Sequence, residues 1–251
     1  MTIALALARR SLVNTLRIPA AFVPIIAMPV FFVISFSGSF SSLTRLPQFP
    51  TDNILDWMVP FAILQGSAFA GFSTGFGTVR DIENGFYPRL LLSPGGRFPL
   101  ILGSALAGMV RATITLTVVL LFGLALGADL PGGLLGLVML WVASVGIAVV
   151  ASGWALGVVY RVQSNKAGAI LQVGIFFTMF LSTGQVPLAA QTGWVRNVAR
   201  VNPITNVLEL ARQGFLGHVS WSDTWPGLVA LVGMIVVLGT FAATGIRRLT
   251  P

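Results

Sequence analysis

Cysteine is absent from this chain of 251 residues, and charged residues make up only 9% of it. Without cysteine there is neither a disulfide framework nor a thiolate metal site. A soluble domain carries about 25% charged residues, so this chain is not built to face water on all sides. Histidine occurs once, at His218, and a single histidine without clustered carboxylates is a poor basis for a metal site. The sequence therefore predicts no metal site and no catalytic residues.

A nucleotide-binding loop is also missing. The pattern G-x-x-x-x-G-K-[S/T] needs a lysine that reaches the phosphates, and the one lysine, Lys166, lies in the unrelated segment QSNKAG. The net charge is +8, but basic residues at the cytoplasmic ends of membrane helices produce such an excess without any nucleic-acid partner. We expect the chain to bind no cofactor itself, so that any ATP and Mg²⁺ would be bound by another chain.

Long apolar segments, in contrast, are abundant. Hydrophobic residues make up 55% of the chain, and the mean hydropathy is +0.90. A membrane helix needs about 20 mostly apolar residues, and six segments meet this need. The sequence therefore predicts an all-α membrane protein with one transmembrane domain over residues 1–251. The predicted spans cover residues 20–37, 57–79, 98–127, 131–159, 167–185 and 226–246.

The distribution of lysine and arginine predicts the orientation. Six spans place both termini on the same side, and ten of the 15 basic residues lie on that side. Cytoplasmic loops carry such an excess, which predicts a multi-pass protein of the cytoplasmic membrane, surrounded by lipids, with both termini cytoplasmic. The ten residues are Arg9, Arg10, Arg17, Arg80, Arg89, Arg97, Arg161, Lys166, Arg247 and Arg248.

Residues 1–18 are too short and too basic to cross a membrane. They are predicted to form a helix that lies in the inner interface, where one apolar face and one basic face are both accommodated. The alternative is a positively charged lead-in to the first span. The helix would place Leu5, Leu12 and Leu16 on one face and Arg10, Asn14 and Arg17 roughly opposite.

Charge is concentrated in the predicted cytoplasmic segment TVRDIENGFYPRLLLSPGGR, residues 78–97. Asp81 and Glu83 are the only acidic residues on that side and are expected just past the second span. Pro88 can occupy the first position of a helix, RLLL then supplies apolar surface, and SPGG would end the helix. The pattern predicts a short helix that docks to a protein partner, and the alternative is an ordinary solvated loop.

Residues 187–217 are predicted to form two short helices that dip partway into the outer leaflet and return. Asn202 can cap a helix whose first residue is Pro203, and Glu209 can pair with Arg212 three residues later. The alternative is two amphipathic surface helices. The spacing places Ile204, Val207, Leu208, Ala211 and Phe215 on one face and Thr205, Asn206, Glu209 and Gln213 on the other.

Arg111 is the only charged residue well inside a predicted span, where a charge costs at least ~2.5 kcal/mol. It is a candidate for facing a translocation path or a neighbouring helix. Alternatively it extends to the inner interface, because it lies about 14 residues, or ~20 Å, past the start of its helix. Gln65, Gln172 and Gln185 are milder candidates for hydrogen bonds between helices, and Gln65 and Gln172 are also candidates for the path.

Taken together, these features resemble ABC-2 type permeases, most closely the drug-resistance branch that includes the daunorubicin exporter permease. The resemblance rests on the acidic pair, NG, an aromatic residue and RLLLSP after the second span. It extends to the basic amphipathic start, the six spans and NPITNVLELAR before the last span. In that family the loop after the second span meets the ATP-hydrolysing subunit. The coupling residues so implied are Asp81, Glu83, Gly85, Phe86, Arg89, Leu90, Leu91, Leu92 and Pro94.

The resemblance implies a function as well. The chain would be the permease subunit of an ATP-driven exporter for a hydrophobic or amphipathic compound, drug-like or lipid-like. It would work by alternating access with a second permease, identical or different, and two ATPase subunits that bind ATP and Mg²⁺. The outer helices would line or close the exit, with Asn202, Pro203, Glu209 and Arg212 as gate residues.

Two alternatives stay open. An ion-coupled transporter usually carries an ionisable acid at membrane depth and an internal repeat, and the sequence displays neither. A membrane scaffold that transports nothing is harder to exclude from composition.

Overall fold

The computed structural model describes residues 2–17, 19–92, 96–164 and 166–249, and within these ranges the chain is helical without β-strands. A short 3₁₀ helix, Ser41–Arg45, follows the second α-helix. The α-helices are α1 (Thr2–Arg17), α2 (Pro19–Phe40), α3 (Ile54–Glu83), α4 (Phe86–Leu91), α5 (Phe98–Ala125), α6 (Gly133–Val162), α7 (Ala167–Phe180), α8 (Gly193–Val201), α9 (Pro203–Leu216) and α10 (Trp221–Ile246).

The central helix is α3, which packs against α2, α5, α6 and α9. Between Ile54 and Phe72 every residue except Leu55 is buried. The helix begins where the Asn53 side chain accepts a hydrogen bond from the Leu55 amide at 3.0 Å, an N-cap that satisfies one of the first unpaired donors. The outer helices α2 and α10 instead expose large apolar side chains, as expected of helices that face lipid. These side chains include Phe31, Ile34, Val229, Val232 and Val236.

Glycine permits the closest contacts between these helices. A β-carbon at Gly71 of α3 would overlap the carbonyl of Ala148 in α6. A β-carbon at Gly136 of α6 would likewise overlap the Cα of Gly214 in α9. Small residues let helix backbones approach in this way within membranes. Gly214 lies inside α9 at this contact, and the helix is ended by Gly217 with φ +75°.

Among the described residues, five helical segments are long and apolar enough to cross a membrane. They correspond to five of the six predicted spans, although the first is extended by the 3₁₀ helix. The five segments are residues 25–45 and the helices α3, α5, α6 and α10.

The remaining predicted span, residues 167–185, is shorter as a helix than expected. α7 ends at Phe180 after 14 residues, a rise of about 21 Å against a hydrocarbon thickness of about 30 Å. The hydroxyl of Ser182 donates to the Met179 carbonyl and accepts from the Gly184 amide at 3.2 Å. Such side-chain bonds compete with helical ones, so the helix stops before residue 185.

The helical bundle has two ends that differ in structure. At one end, which we call the α4 end, a buried apolar cluster joins α4, α5, α6, α10 and the segment after α10. Leu7 of α1 packs on this cluster and Leu249 belongs to it, so the N-terminal helix and the last described residues lie at the same end. At the other end, the α9 end, α9 meets the start of α3 and the turn between α5 and α6, and α8 precedes α9.

The N-terminal helix α1 packs on α5 through a face that the sequence did not indicate. Ala4 and Ala8 are the buried residues, and Gly103 of α5 provides room for the α1 backbone. Leu5 on the predicted apolar face is 54% exposed. The helix is therefore confirmed, its position in a membrane interface stays a prediction, and a third face of small residues attaches it to the bundle.

Candidate functional site

The segment after the second span is a tight helical hairpin at the α4 end. α3 continues to Glu83, and Gly85 adopts φ +67° before α4 begins at Phe86. This left-handed conformation favours glycine. Two details of the prediction are therefore wrong. Asp81 and Glu83 belong to the last turn of α3 rather than to a loop, and Pro88 is the third residue of α4 rather than its first, because the chain reverses at Gly85.

An arginine of the N-terminal helix holds this hairpin. Arg10 donates from Nη1 and Nη2 to the two carboxylate oxygens of Asp81, at 2.8 and 2.7 Å. Its guanidinium also lies 4.0 Å from the centre of the Phe86 ring, a cation–π contact. The hydrogen bonds to Asp81 raise the pKa of Arg10. Asp81, predicted to offer its charge to a partner protein, thus has a charged partner within its own chain.

The only two tyrosines of the sequence join α4 to α6. The hydroxyls of Tyr87 and Tyr160 lie 2.5 Å apart, and both side chains are buried. Burial raises the pKa of Tyr87, so its hydroxyl stays neutral at physiological pH. The sequence analysis missed this pair, because the two residues are 73 positions apart and neither lies in a motif.

The three leucines of the hairpin do not share one role. Leu90 and Leu91 are partly buried and pack on the apolar cluster at the α4 end. Leu92 is 71% exposed. The prediction that all three present apolar surface outward is therefore wrong for Leu90 and Leu91. A smaller outward face remains, which we call the coupling surface and define as Glu83, Pro88, Arg89 and Leu92, all exposed. Pro94, predicted to belong to the same element, lies outside the described residues.

A cavity of about 740 Å³ opens between α1, α2, α3 and α5 at the α4 end. Ligand pockets typically measure about 300–1,000 Å³, so the space is large enough for a small molecule. Its walls combine aromatic and aliphatic side chains with arginine and hydroxyl groups. Among the lining residues are Arg10, Ser11, Ile25, Met28, Phe69, Phe72, Phe76, Arg80, Asp81, Ser104, Arg111 and Gln172.

Two of the three residues predicted for a translocation path line this cavity. Arg111 is only 2% exposed, and it donates to the Ala70 carbonyl at 3.2 Å and to the Ser11 hydroxyl at 3.1 Å. It therefore contacts α3 and α1 instead of extending to the protein surface. Gln172 of α7 also lines the cavity.

The third candidate, Gln65, is fully buried in α3 and does not line the cavity. Neither atom of its side-chain amide has a hydrogen-bond partner among the described residues. Phe61 and Phe69, one helical turn to either side, contact Phe180 and Phe176 of α7 respectively. Gln65 thus lies along α3 between the cavity and the α9 end, within an aromatic region.

At the α9 end, Asn202 has the predicted role and a second one. Its side chain accepts from the Ile204 amide at 3.0 Å, and α9 begins at Pro203 as predicted. The side-chain nitrogen also donates to the carbonyls of Thr178 and Leu181, at 2.7 and 2.9 Å. Asn202 therefore caps the start of α9 and the end of α7 together.

Arg212 is the centre of the α9 end and is fully buried. The predicted pair with Glu209 is present at 3.7 Å. Its guanidinium also lies 3.4 Å from the centre of the Trp57 ring and donates to the Gly184 carbonyl at 2.7 Å. Longer contacts of 3.4 Å reach the Trp57 carbonyl and the Thr183 hydroxyl. One side chain thus joins α9 to α3 and to the segment after α7.

The apolar face predicted for α9 is confirmed, because all five of its residues are buried. The predicted polar face is only partly exposed. Thr205 and Gln213 are buried, since Thr205 donates to the Ala199 carbonyl at 2.6 Å and Gln213 accepts from Thr224 of α10 at 3.1 Å. The bundle thus encloses α9 on several sides, and the choice between a helix that dips into the membrane and a surface helix stays a prediction.

Comparison with known proteins connects these features to transport. The family model of the ABC-2 family transporter proteins matches residues 39–244. A Cyanophora paradoxa protein named as a transport permease, ycf38, is 28% identical over 221 residues, which cover 86% of this chain and 74% of that protein. The probable doxorubicin resistance ABC transporter permease protein DrrC of Mycobacterium tuberculosis is 26% identical over 229 residues, covering 89% and 80%.

A third relative is longer than this chain. The probable multidrug ABC transporter permease YbhR of Escherichia coli is 25% identical over 179 residues, which cover 70% of this chain but only 47% of YbhR. The chain thus spans about half the length of that relative. Because the family model covers most of the chain and five apolar helices are long enough to cross a membrane, this multi-pass membrane protein belongs to the ABC-2 transporter family.

Proposed function

We propose that the chain is the permease subunit of an ATP-driven exporter, and that it moves a hydrophobic or amphipathic compound out across the cytoplasmic membrane. The cavity at the α4 end carries the proposal, because it offers both apolar walls and polar groups to a cargo. Membership of a transporter family supports the same function. Two relatives are named as permeases for multidrug transport or doxorubicin resistance, which favours a small organic cargo over an ion.

The proposed topology has six crossings with both termini in the cytoplasm. The α4 end is then cytoplasmic, in agreement with the excess of basic residues there. α7 would be the remaining crossing, short and fifth along the chain. It follows α6, whose Tyr160 contacts α4, and its last turn reaches Asn202 at the α9 end, so it leads the chain from one end to the other.

Single cysteines test this topology, since the chain has none of its own. Asp52→Cys and Thr192→Cys replace exposed residues at the α9 end, and Arg89→Cys replaces an exposed residue of α4. A membrane-impermeant thiol reagent applied to intact cells is expected to label the first two and not the third. Labelling of Arg89→Cys alone would reverse the orientation.

ATP would be hydrolysed by a separate chain that docks on the coupling surface. Glu83 and Arg89 offer charges of both signs, and Leu92 offers apolar area beside them. The hairpin is suited to transmit force, because Arg10 and Tyr87 fix it to α1 and α6. Two permeases, identical or different, and two ATPases would form the transporter, and ATP-driven closure of the ATPases would switch the cavity from inward to outward access.

Copurification tests the assembly. The full chain, extracted in mild detergent, is expected to retain a protein that contains the G-x-x-x-x-G-K-[S/T] sequence, with two copies of each component by native mass measurement. Reconstituted into vesicles, the complex is expected to hydrolyse ATP faster when cargo is present. A chain that purifies without any ATP-binding protein, and whose loss does not change cellular export, would contradict the proposal.

The docking surface is tested by Arg89→Ala combined with Leu92→Ala. We expect less bound ATPase, or hydrolysis that no longer responds to cargo, while the permease still inserts. Leu126→Ala is a matched control, because Leu126 is 47% exposed in the turn between α5 and α6 at the opposite end. Normal coupling in the double variant would mean that the ATPase docks elsewhere.

A further inference from the structure

One face of α3 connects the cavity at the α4 end with the α9 end. Phe69, Phe72 and Phe76 line the cavity, and residues three or four positions apart share a face of a helix. Gln65 and Phe61 continue the same face, four and eight positions before Phe69. A route from the cavity toward the α9 end would therefore pass Gln65 first and Phe61 next.

Phenylalanine rings from α2, α3 and α7 meet along this route. Phe180, the last residue of α7, contacts one ring of α7, one of α3 and two of α2. Phe69 borders the cavity, and Phe61 lies against Gly184 at the α9 end. The ring centres of neighbouring members lie between 5.0 and 6.4 Å apart. We call this group the aromatic gate and define it as Phe32, Phe36, Phe61, Phe69, Phe176 and Phe180.

Gln65 places an amide on the α3 face that carries two of these rings. The side chain is fully buried, and neither its oxygen nor its nitrogen has a hydrogen-bond partner among the described residues. Burying an amide without a partner costs free energy. Ser67 and Thr74 of the same helix are buried as well, but each donates to a backbone carbonyl. Gln65 is therefore unfavourable in this conformation, and a molecule that supplied the missing partners would remove the cost.

The chemistry of the amide defines what Gln65 can bind. It offers one acceptor oxygen and two N–H donors without a net charge. An uncharged amide, carbonyl or hydroxyl can pair with these groups, whereas an ion would lie without a counter-charge in apolar surroundings, at a high cost. The adjacent rings favour a flat aromatic body, because offset and edge-to-face contacts between rings are attractive. A neutral aromatic molecule with a hydrogen-bonding group matches both features.

We propose that the aromatic gate closes the route out of the cavity, and that Gln65 binds an uncharged polar group of the cargo as it passes the gate. Phe176 and Phe180 move away from α3 to open it, because α7 carries both rings and leaves its other side exposed. The exposed apolar side chains of α7 are Ile170, Val173 and Phe177. This inference rests on the proposed function and narrows it, since an ion or a hydrocarbon without a polar group would gain nothing from Gln65.

The reactivity of a single thiol tests whether the gate is closed. The chain has no cysteine, so Gln65→Cys introduces the only one, and Gly77→Cys places one at an exposed site of the cavity for comparison. In detergent, N-ethylmaleimide is expected to modify Gln65→Cys about tenfold more slowly, because the reaction requires local opening. Addition of Phe180→Ala, or of Phe176→Ala if that variant does not fold, is expected to raise the rate to that of Gly77→Cys. Equal rates with the gate intact, or no change on removal of a ring, would overturn the gate.

Two fluorescent probes with the same flat body test the role of Gln65. They are 9-anthracenecarboxamide, which carries an uncharged amide, and 9-ethylanthracene, which carries no polar group. The full chain with Phe180→Ala is placed in nanodiscs of phosphatidylcholine, and empty nanodiscs correct for partition into lipid. The carboxamide is expected to bind about tenfold more tightly than the hydrocarbon, the effect of a buried hydrogen bond. Equal binding of the two probes would overturn the role of Gln65.

A matched pair of variants locates this preference. Gln65→Leu is expected to reduce the ratio of the two affinities to about one, because leucine offers neither a donor nor an acceptor. Gln48→Leu makes the same change at an exposed site before α3 and is expected to keep the full ratio. An unchanged ratio in Gln65→Leu, or an equal loss in Gln48→Leu, would overturn the site.

Stability separates cargo binding from a structural role. In the chain with an intact gate, Gln65→Leu is expected to keep or raise the midpoint of chemical unfolding in detergent, because it replaces an unpaired amide by an apolar group of similar size. A lower midpoint would show that the amide stabilises this conformation, and it would overturn the inference. None of these measurements involves ATP or an ATPase, so their failure leaves the proposed export function intact. A failure to copurify an ATPase, in turn, would leave the probe preference intact.

Discussion

Arg111 and Arg212 are both almost completely enclosed, at 2% and 0% exposure, yet their surroundings differ. Arg212, at the α9 end, is held by the Gly184 carbonyl, the Trp57 ring and the Glu209 carboxylate. Arg111, at the α4 end, contacts two neighbouring helices but borders a cavity of about 740 Å³. Arg212 is enclosed by protein groups that connect neighbouring helices, whereas Arg111 borders an open cavity.

The difference teaches that burial by itself does not tell whether a charged side chain is enclosed by protein on all sides or borders a cavity. Both side chains carry the cost of removing a charge from water. At the α9 end the cost is offset by protein groups that fix α9 to α3 and to the segment after α7. At the α4 end Arg111 contacts α3 and α1 and also lines the cavity.

The largest expected effect is the loss of Arg212. Arg212→Ala removes several hydrogen bonds of a charged group and leaves a void beside Trp57, so we expect the free energy of unfolding to fall by about 3 kcal/mol or more. Chemical unfolding in detergent, followed by tryptophan fluorescence, measures the change. Arg196→Ala, at an exposed site of α8, is the control and is expected to unfold like the parent. Similar stability of both variants would contradict a structural role for Arg212.

Two glycines test the packing difference between the ends. Gly136→Ala is expected to destabilise the protein by about 1–3 kcal/mol, because the new methyl group would overlap the backbone of Gly214. Gly77 lines the cavity, and a β-carbon there meets no atom within 4 Å. Gly77→Ala is expected to stabilise the helix by up to ~1 kcal/mol. Unfolding midpoints in detergent compare the two, and equal losses would contradict the presence of open space beside Gly77.

The tyrosine pair tests how firmly the hairpin is attached at the α4 end. Tyr87→Phe is expected to cost about 1 kcal/mol of unfolding free energy, because it leaves the buried Tyr160 hydroxyl without this partner. The double variant with Tyr160→Phe is expected to lose less than the sum of the two single losses, which a double-mutant cycle measures. Strictly additive losses would mean that the hydroxyls do not interact.

The smallest effect on stability is expected for Arg10→Gln. The pair with Asp81 is partly exposed, with 38% and 23% of the two side chains accessible, and such pairs contribute less than about 1 kcal/mol. Coupling should change more than stability, because Arg10 connects α1 with the hairpin that is proposed to receive force. Cargo-stimulated hydrolysis by the reconstituted complex measures this effect. Arg9→Gln, at the exposed neighbouring site, is the control. Equal coupling in both variants would show that the pair of Arg10 with Asp81 is dispensable for coupling.

Much of the fold could be predicted because its signals are local. Apolar runs of about 20 residues indicated the spans, and α3, α5, α6 and α10 lie close to the predicted bounds. The cap at Asn202 and the apolar face of α9 follow from residues one to four positions apart. α7 is an exception, because its end depends on Ser182 and also on Asn202, which is 21 residues beyond the Leu181 carbonyl that it binds.

The sequence identified many residues of the candidate site but not how they are arranged. The sequence indicated that Arg111 is unusual, but it gave equal weight to a path and to an interface. It indicated that Asp81 and the leucines form a docking element, whereas the structure places Leu90 and Leu91 inward and gives Asp81 to Arg10. Whether a side chain points inward or finds a charged partner depends on which helix packs beside it, and the hydropathy of a segment does not reveal its neighbouring helices.

The sequence by itself determined that this is a helical membrane protein and where its long helices lie, and its segments at residues 78–97 and 202–212 resemble those of ABC-2 permeases. Only the tertiary structure decided that Arg212 connects α9 to α3 and to the segment after α7, while Arg111 borders a cavity. The contacts of Arg212 with Trp57 join residues 155 positions apart, and those of Arg111 with Ser11 join residues 100 positions apart. Helix propensity and capping act over a few residues, whereas the surroundings of a buried charge are set by the helices that pack around it.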